Sequence, residues 1–190
     1  MKQIIYLVLI LLATPVSTFA QSSDASVERS VYGVQAGFLG TWFYNESRLS
    51  NSIALRLEAG LDGGFQSTFI NDDNFVMIPV FTAEPRWYYN LNRRIDKGKR
   101  IDGNSGNFLS IKTSYRPDLF ILGGDDRVRV IPDLQIIPTY GLRRNIGQNF
   151  NYELGLGIGY IRYFEPENVI IIGDQSEFAV NLHLRLGYRF

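Results

Sequence analysis

The chain has 190 residues, no cysteine, one histidine, and 19 acidic against 19 basic residues, so its formal net charge is zero. That balance excludes the basic excess of a nucleic-acid binder, and the lack of cysteine excludes a disulfide framework and a thiolate metal site. No stretch beyond the N-terminal apolar run reaches the roughly 18 apolar residues of a spanning helix, so any passage through a membrane would fall to strands.

Residues 1–20 read as a signal peptide. Lys2 is the charged start, residues 4–13 (IIYLVLILLA) are an apolar core too short to span, and Thr18-Phe19-Ala20 offers small residues for a cut ahead of Gln21. No cysteine follows, so the chain is not expected to be a lipoprotein. Residues 21–30 (QSSDASVERS) are polar and read as a flexible lead-in, with one domain over 31–190.

The first strand is expected over 31–44. Tyr32, Val34, Ala36, Phe38, Trp42 and Tyr44 form its apolar set, and residues 45–52 a turn. In the next strand Ile53, Leu55, Leu57, Ala59 and Leu61 alternate with Arg56, Glu58, Gly60 and Asp62. Asp62-Gly63 is a two-residue hairpin signal. Either it turns the chain into a short strand over 64–70, or the strand runs on to a loop ending at 71–74.

Residues 75–90 put Met77, Phe81, Ala83, Trp87 and Tyr89 on one face, with Pro79 and Pro85 in phase, and Thr82, Glu84, Arg86 and Tyr88 on the other. Residues 91–106 are a basic, then Gly/Asn-rich connection. Residues 107–121 set Leu109, Ile111, Tyr115, Leu119 and Ile121 against Ser110, Lys112, Ser114 and Arg116. A turn at 123–126 follows. Residues 128–143 set Leu134, Ile136, Tyr140 and Leu142 against Asp133, Gln135, Thr139 and Arg143. Residues 149–164 set Phe150 to Tyr160 (even numbers) against Asn151, Glu153 and glycines 155, 157 and 159. After a loop at 165–177, residues 178–190 (FAVNLHLRLGYRF) alternate strictly and end on Tyr188 and Phe190.

Strands expose successive side chains on opposite faces, so each segment has an apolar face and a polar, charged one. A narrow barrel interior cannot hold that many Leu, Ile and aromatic side chains, whereas small and oppositely charged residues can fill it. The expectation is an all-β, antiparallel, up-and-down transmembrane β-barrel with a polar lumen and a lipid-facing apolar exterior. Single-chain bacterial barrels have even strand numbers, which favours eight, the Asp62-Gly63 turn supplying the extra strand. Trp42, Tyr44, Trp87, Tyr89, Tyr188 and Phe190 are placed in the aromatic girdles. Pro79, Pro85, Pro132 and Pro138 are expected at bulges or strand ends, because a closed barrel has no free edge for them.

The signal ending TFA-Q, the stretch EPRWYYNLNRR (84–94), the segment NSGNF (104–108) and the end NLHLRLGYRF resemble the small outer-membrane β-barrel proteins common in Bacteroidota. The resemblance implies location in the cell outer membrane and contact with its lipid. It also implies that the terminal aromatics Tyr188 and Phe190 are the signal read by the barrel-assembly machinery. It implies no activity.

The lumen charges are the sharpest constellation: Arg56, Glu58, Glu84, Arg86, Lys112, Arg116, Asp133, Glu153, His183 and Arg185. Buried charges must be paired, so a structural network is the favoured reading over a gate or polar path. Outer-membrane lipid A deacylases use a His-Ser pair, but His183 is followed by Leu184-Arg185, and Asp125-Asp126 after Gly-Gly reads as a solvated turn. The basic run Arg93, Arg94, Lys97, Lys99 and Arg100 reads as a solvated turn before a lipid-phosphate site. No catalytic residue, cofactor or metal is expected, and no nucleic-acid partner. The expected function is a monomeric structural or interaction barrel; the alternative is a lipid-modifying enzyme or a narrow solute conduit.

Overall fold

The computed structural model describes residues 25–66, 74–123, 130–164 and 175–190. The signal peptide expected over 1–20, the turn expected at 124–126 and most of the loop expected over 165–177 lie outside the described residues. Eight antiparallel strands close into a barrel in sequence order. They are β1 (Ser30–Gly37), β2 (Gly40–Arg48), β3 (Ile53–Gln66), β4 (Asn74–Trp87), β5 (Asn107–Arg116), β6 (Asp133–Ile146), β7 (Phe150–Tyr163) and β8 (Ser176–Arg189). The β1–β8 ladder, Gly33↔Arg189 to Gly37↔Arg185, completes the ring and leaves no free edge.

The strand number is as expected, but the extra strand comes from a different place. Asp62-Gly63 is not a turn: β3 runs straight through it, pairing Asp62 with Ile78 and Gly63 with Met77. The single strand expected over 31–44 is instead β1 and β2, joined at Phe38-Leu39 with Gly37 paired to Gly40. Gly40 has a φ of 149°, and a Cβ there would lie 2.3 Å from the Leu61 carbonyl oxygen, so the turn needs glycine.

A two-residue hairpin pairs even with odd positions, and paired residues share a face. Val34 therefore pairs with Phe43 on the outside, and Gln35 with Trp42 on the inside. This reverses the expected placing of Trp42 and Tyr44. They are not girdle residues; they are buried in the lumen at 7% and 0% exposure. Gly60 and Gly33 make room for them, since a Cβ at either would come within 2.8 Å of the Trp42 or Tyr44 side chain.

The prolines make no bulge. The β4–β5 register is unchanged across Pro85 and the β6–β7 register across Pro138, each ladder merely missing pairs at the proline. The opposite edge of each strand stays fully paired, so a missing N–H costs one ladder locally and shifts nothing. Pro132 immediately precedes β6, and Pro79 lies beyond the last β4–β5 ladder pair, Phe81↔Tyr115. β5 stops at Arg116, before Pro117 and short of the expected 121; beyond it, among the described residues, a Met77↔Leu122 bridge joins the two segments.

The barrel end that carries Ser30 and Arg189 is closed by chain. The lead-in is not loose over its described part: Ala25 and Val27 pack with Ala54, Tyr88, Leu91 and Phe108. The Val27 amide donates to the Asn51 carbonyl at 2.9 Å. The 91–106 connection folds into a short helix α1 (Leu91–Asp96) and a 3-10 turn (Asp102–Asn104) laid across this end. Outside, the wall is apolar: Phe178, Val180, Leu182, Leu184 and Leu186 of β8 are 59–90% exposed.

Candidate functional site: the charged lumen and its vestibule

The inward positions of β2 to β8 bring four arginines and four glutamates together, Arg56, Arg86, Arg143 and Arg185 with Glu46, Glu58, Glu84 and Glu153, none more than 4% exposed. Unpaired, any one would be costly to bury. Glu153 is the hub. It accepts two hydrogen bonds from Arg86 at 2.8 and 2.9 Å and two from Arg143 at 2.7 and 2.9 Å. Glu84 accepts from Arg86 at 2.7 Å and from the Ser110 hydroxyl at 2.6 Å. Glu58 accepts from Arg56 and, at 2.8 Å, from Arg185. Glu46 lies 3.0, 3.6 and 3.7 Å from Arg143, Arg56 and Arg86. Arg56 also donates to Gln35 at 2.6 Å.

The inward aromatics complete this arrangement. Arg56 lies 3.8 Å from the Tyr44 ring centroid, Arg185 4.0 Å from that of Trp42, and Arg86 4.2 Å from that of Phe108. A guanidinium stacked on a ring satisfies its faces while its edge donates to carboxylates. At the closed end, Asn104 fixes the plug. Its side-chain NH2 donates to Glu46 at 2.7 Å, and its oxygen accepts from the Glu28 amide at 2.7 Å. Tyr88 donates to the same Glu46 oxygen at 2.7 Å. From here up to Arg185 the charged side chains of the network are all buried.

Above Arg185 the lumen widens into a vestibule of about 480 Å³. Arg116 spans part of it, donating to Asp62 at 2.7 and 2.9 Å and to Asp133 at 3.0 Å. Trp42 donates to Asp62 at 2.9 Å. His183 forms part of the floor, with Nε2 3.4 Å from Glu153 and Nδ1 3.2 Å from the Asn181 amide. Lys112 lines the wall and makes no ion pair among the described residues. None of the described residues lining the vestibule is a serine, threonine or cysteine. Among the described residues, no group of three potential ligands could hold a metal ion.

Of the expected lumen residues, Arg56, Glu58, Glu84, Arg86, Glu153 and Arg185 join one network, and His183 touches it. Arg116 and Asp133 form a separate cluster in the vestibule, and Lys112 stands between the two. Glu46 and Arg143 belong to the network although neither was among the candidate residues. Glu46 falls within the turn expected over 45–52 but lies in β2; its inward position follows once the Phe38-Leu39 hairpin is recognised. At the chain end Tyr188 and Phe190 are outward, their rings 5.7 Å apart.

Comparison of the chain with protein-family models, with curated proteins and with solved structures gives no match.

Proposed function

We propose that this chain is an integral outer-membrane β-barrel with a sealed lumen and a structural or interaction role. The observation that carries the reading is the inverted polarity. Eight charged side chains fill the inside while the wall presents Leu, Ile, Val, Phe and Tyr to its surroundings. A closed barrel with an apolar outside is stable in hydrocarbon, where every backbone group must be satisfied internally. In water, the same wall would be a very large exposed apolar surface. Outward Tyr32, Trp87, Tyr89, Phe150, Tyr188 and Phe190 gather near the terminal end, as a girdle at a membrane interface would. With both termini on the periplasmic side, the plug faces the periplasm and the vestibule the cell exterior.

The floor of paired charges supports a barrel that does not conduct. The test is refolding of the mature chain into detergent and vesicles, followed by planar-bilayer recording. A β-rich band whose gel mobility changes on heating, and no steady ohmic conductance, is the expected result. A chain that folds without detergent would overturn the membrane reading. A reproducible steady conductance would overturn the sealed lumen and favour the conduit.

A further inference from the structure

We propose that Arg94 and Arg144 together hold the phosphate of an anionic phospholipid in the leaflet around the barrel's terminal end. The proposal rests on the membrane reading above and adds a specific lipid site to it. Arg144 occupies an outward position on β6, between Leu142 and Ile146, on the face that also carries Tyr140. A cation on an apolar outer wall needs a counter-charge or an interface to reach. Among the described residues it pairs with no carboxylate. Its guanidinium donates to the Arg143 carbonyl at 2.7 Å and to the Asn107 side-chain oxygen.

Arg94, from α1, comes to the same place. It donates to the Arg100 carbonyl at 2.8 and 3.1 Å and to the Ser105 hydroxyl at 3.2 Å, two residues from Asn107. It too pairs with no carboxylate among the described residues. The nearby acids are differently placed: Asp102 is engaged by Arg100 and Arg189, and Asp96 makes no ion pair with Arg94. Burial, and after it the like charge of Arg144, lowers the Arg94 pKa. Two half-buried guanidiniums that repel one another, with N–H groups left over, form a receptor for one anion.

The surroundings select the kind of anion. Asn107 donates at 2.9 Å to the Tyr140 hydroxyl and at 3.3 Å to that of Tyr89. These rings are 45% and 43% exposed, so the polar cluster sits at the edge of the apolar wall. A phosphodiester bound here leaves its acyl chains along Tyr140 and Leu142, an arrangement that a free phosphate in water would not use. Lys97 and Lys99, on the exposed part of the same connection, provide the control for unspecific attraction.

The test is native mass spectrometry of the folded barrel in a neutral detergent, titrated with phosphatidylglycerol, phosphatidylethanolamine and inorganic phosphate. Heat-modifiable gel mobility confirms folding of each variant. The wild type should retain about one phosphatidylglycerol in preference to phosphatidylethanolamine, and millimolar phosphate should not displace it. Arg94→Gln with Arg144→Gln should weaken retention at least about tenfold, as expected for two interfacial charges. Lys97→Gln with Lys99→Gln should change it less than twofold, and Arg94→Lys with Arg144→Lys should restore part of the loss. Equal retention by wild type and the arginine double variant overturns the site, as does an equal loss in the lysine double variant. Displacement by phosphate overturns the lipid as its occupant. A chain that never enters detergent as a barrel overturns the membrane reading itself, and is told apart by the gel.

Discussion

Replacing Glu153 by glutamine probes the network at its hub. The side chain keeps its size and loses its charge. Four hydrogen bonds from two arginines converge on this carboxylate, and the NH2 end of a glutamine would point donors at donors. Arg143 would keep Glu46 at 3.0 Å and Arg86 would keep Glu84 at 2.7 Å, but the network's four-against-four balance would carry one excess positive charge. Removing one partner from a buried pair costs roughly 3–5 kcal/mol, most of it the uncompensated charge left behind. At a slope of about 2 kcal/mol per molar urea, the unfolding midpoint should fall by about 2 M. Glu84→Gln should cost less, because Glu84 serves one arginine and one hydroxyl. Arg143→Met should cost less in the Glu153→Gln background than alone. The assay is reversible urea unfolding in lipid vesicles, with Leu156→Ala on the outer wall as the control expected to cost under about 1 kcal/mol. A loss under about 1 kcal/mol for Glu153→Gln, additive with Arg143→Met, would refute the network, because it would mean that water solvates these charges.

Gly141→Ala should destabilise the barrel more than Gly155→Ala. The first places a Cβ 2.2 Å from the ring of Phe108, which is fully buried under Arg86, while the second meets the His183 ring, which can swing into the vestibule. Roughly 1–3 kcal/mol is expected for Gly141→Ala by urea unfolding, and His183→Ala should rescue Gly155→Ala alone. In the plug, hydrogen bonds from Arg100 and then Arg189 hold the Asp102 pKa down to about 2. A depressed carboxylate stabilises the fold fully above its unfolded pKa, near 4, and loses that contribution as pH falls through about 2. The stability difference between wild type and Asp102→Asn should therefore be constant above about pH 5 and shrink below pH 4. It should stay under about 1 kcal/mol, because the pair is partly solvated. Deleting Phe190 should reduce assembly into the outer membrane without reducing export, measured as the folded fraction in membrane pellets.

Much of the architecture was legible because alternation is a local signal. In β4 from Phe81 on, in β7 up to Tyr160 and in β8 from Phe178 on, a charged or small face alternates with an apolar one and burial follows it. At the far end of β7 the order reverses, with Ile161 buried and Arg162 exposed. The missed hairpin at Phe38-Leu39 has no Asn-Gly or Asp-Gly in its turn. Its glycines flank the turn, and the apolar residues carry on across it, so the parity slip is hidden. Asp62-Gly63 has the residues of a turn yet lies in a strand, because pairing with β4 on one side decides the matter. The lumen charges were legible as a set, but their partners were not. Arg56 and Glu84 do sit opposite one another on neighbouring strands. Yet Glu84 is taken by Arg86, and Arg56 by Glu58 and Gln35, while Arg86 reaches 67 positions along the chain to Glu153. Which arginine reaches which glutamate depends on ring stacking and on closure of the barrel, and neither is written in any one strand.

The central claim is that lipid surrounds this wall and that charge fills the interior, and the chain's two tryptophans test it together. Trp87 is outward and 49% exposed, whereas Trp42 is inward and 7% exposed. Fluorescence of Trp42→Phe and Trp87→Phe variants, refolded into vesicles containing brominated acyl chains, reads each position separately. Strong quenching of Trp87 and little of Trp42 is the predicted result. Quenching of Trp42 as strong as that of Trp87 would contradict the inward hairpin parity, and no quenching of either would contradict the membrane barrel.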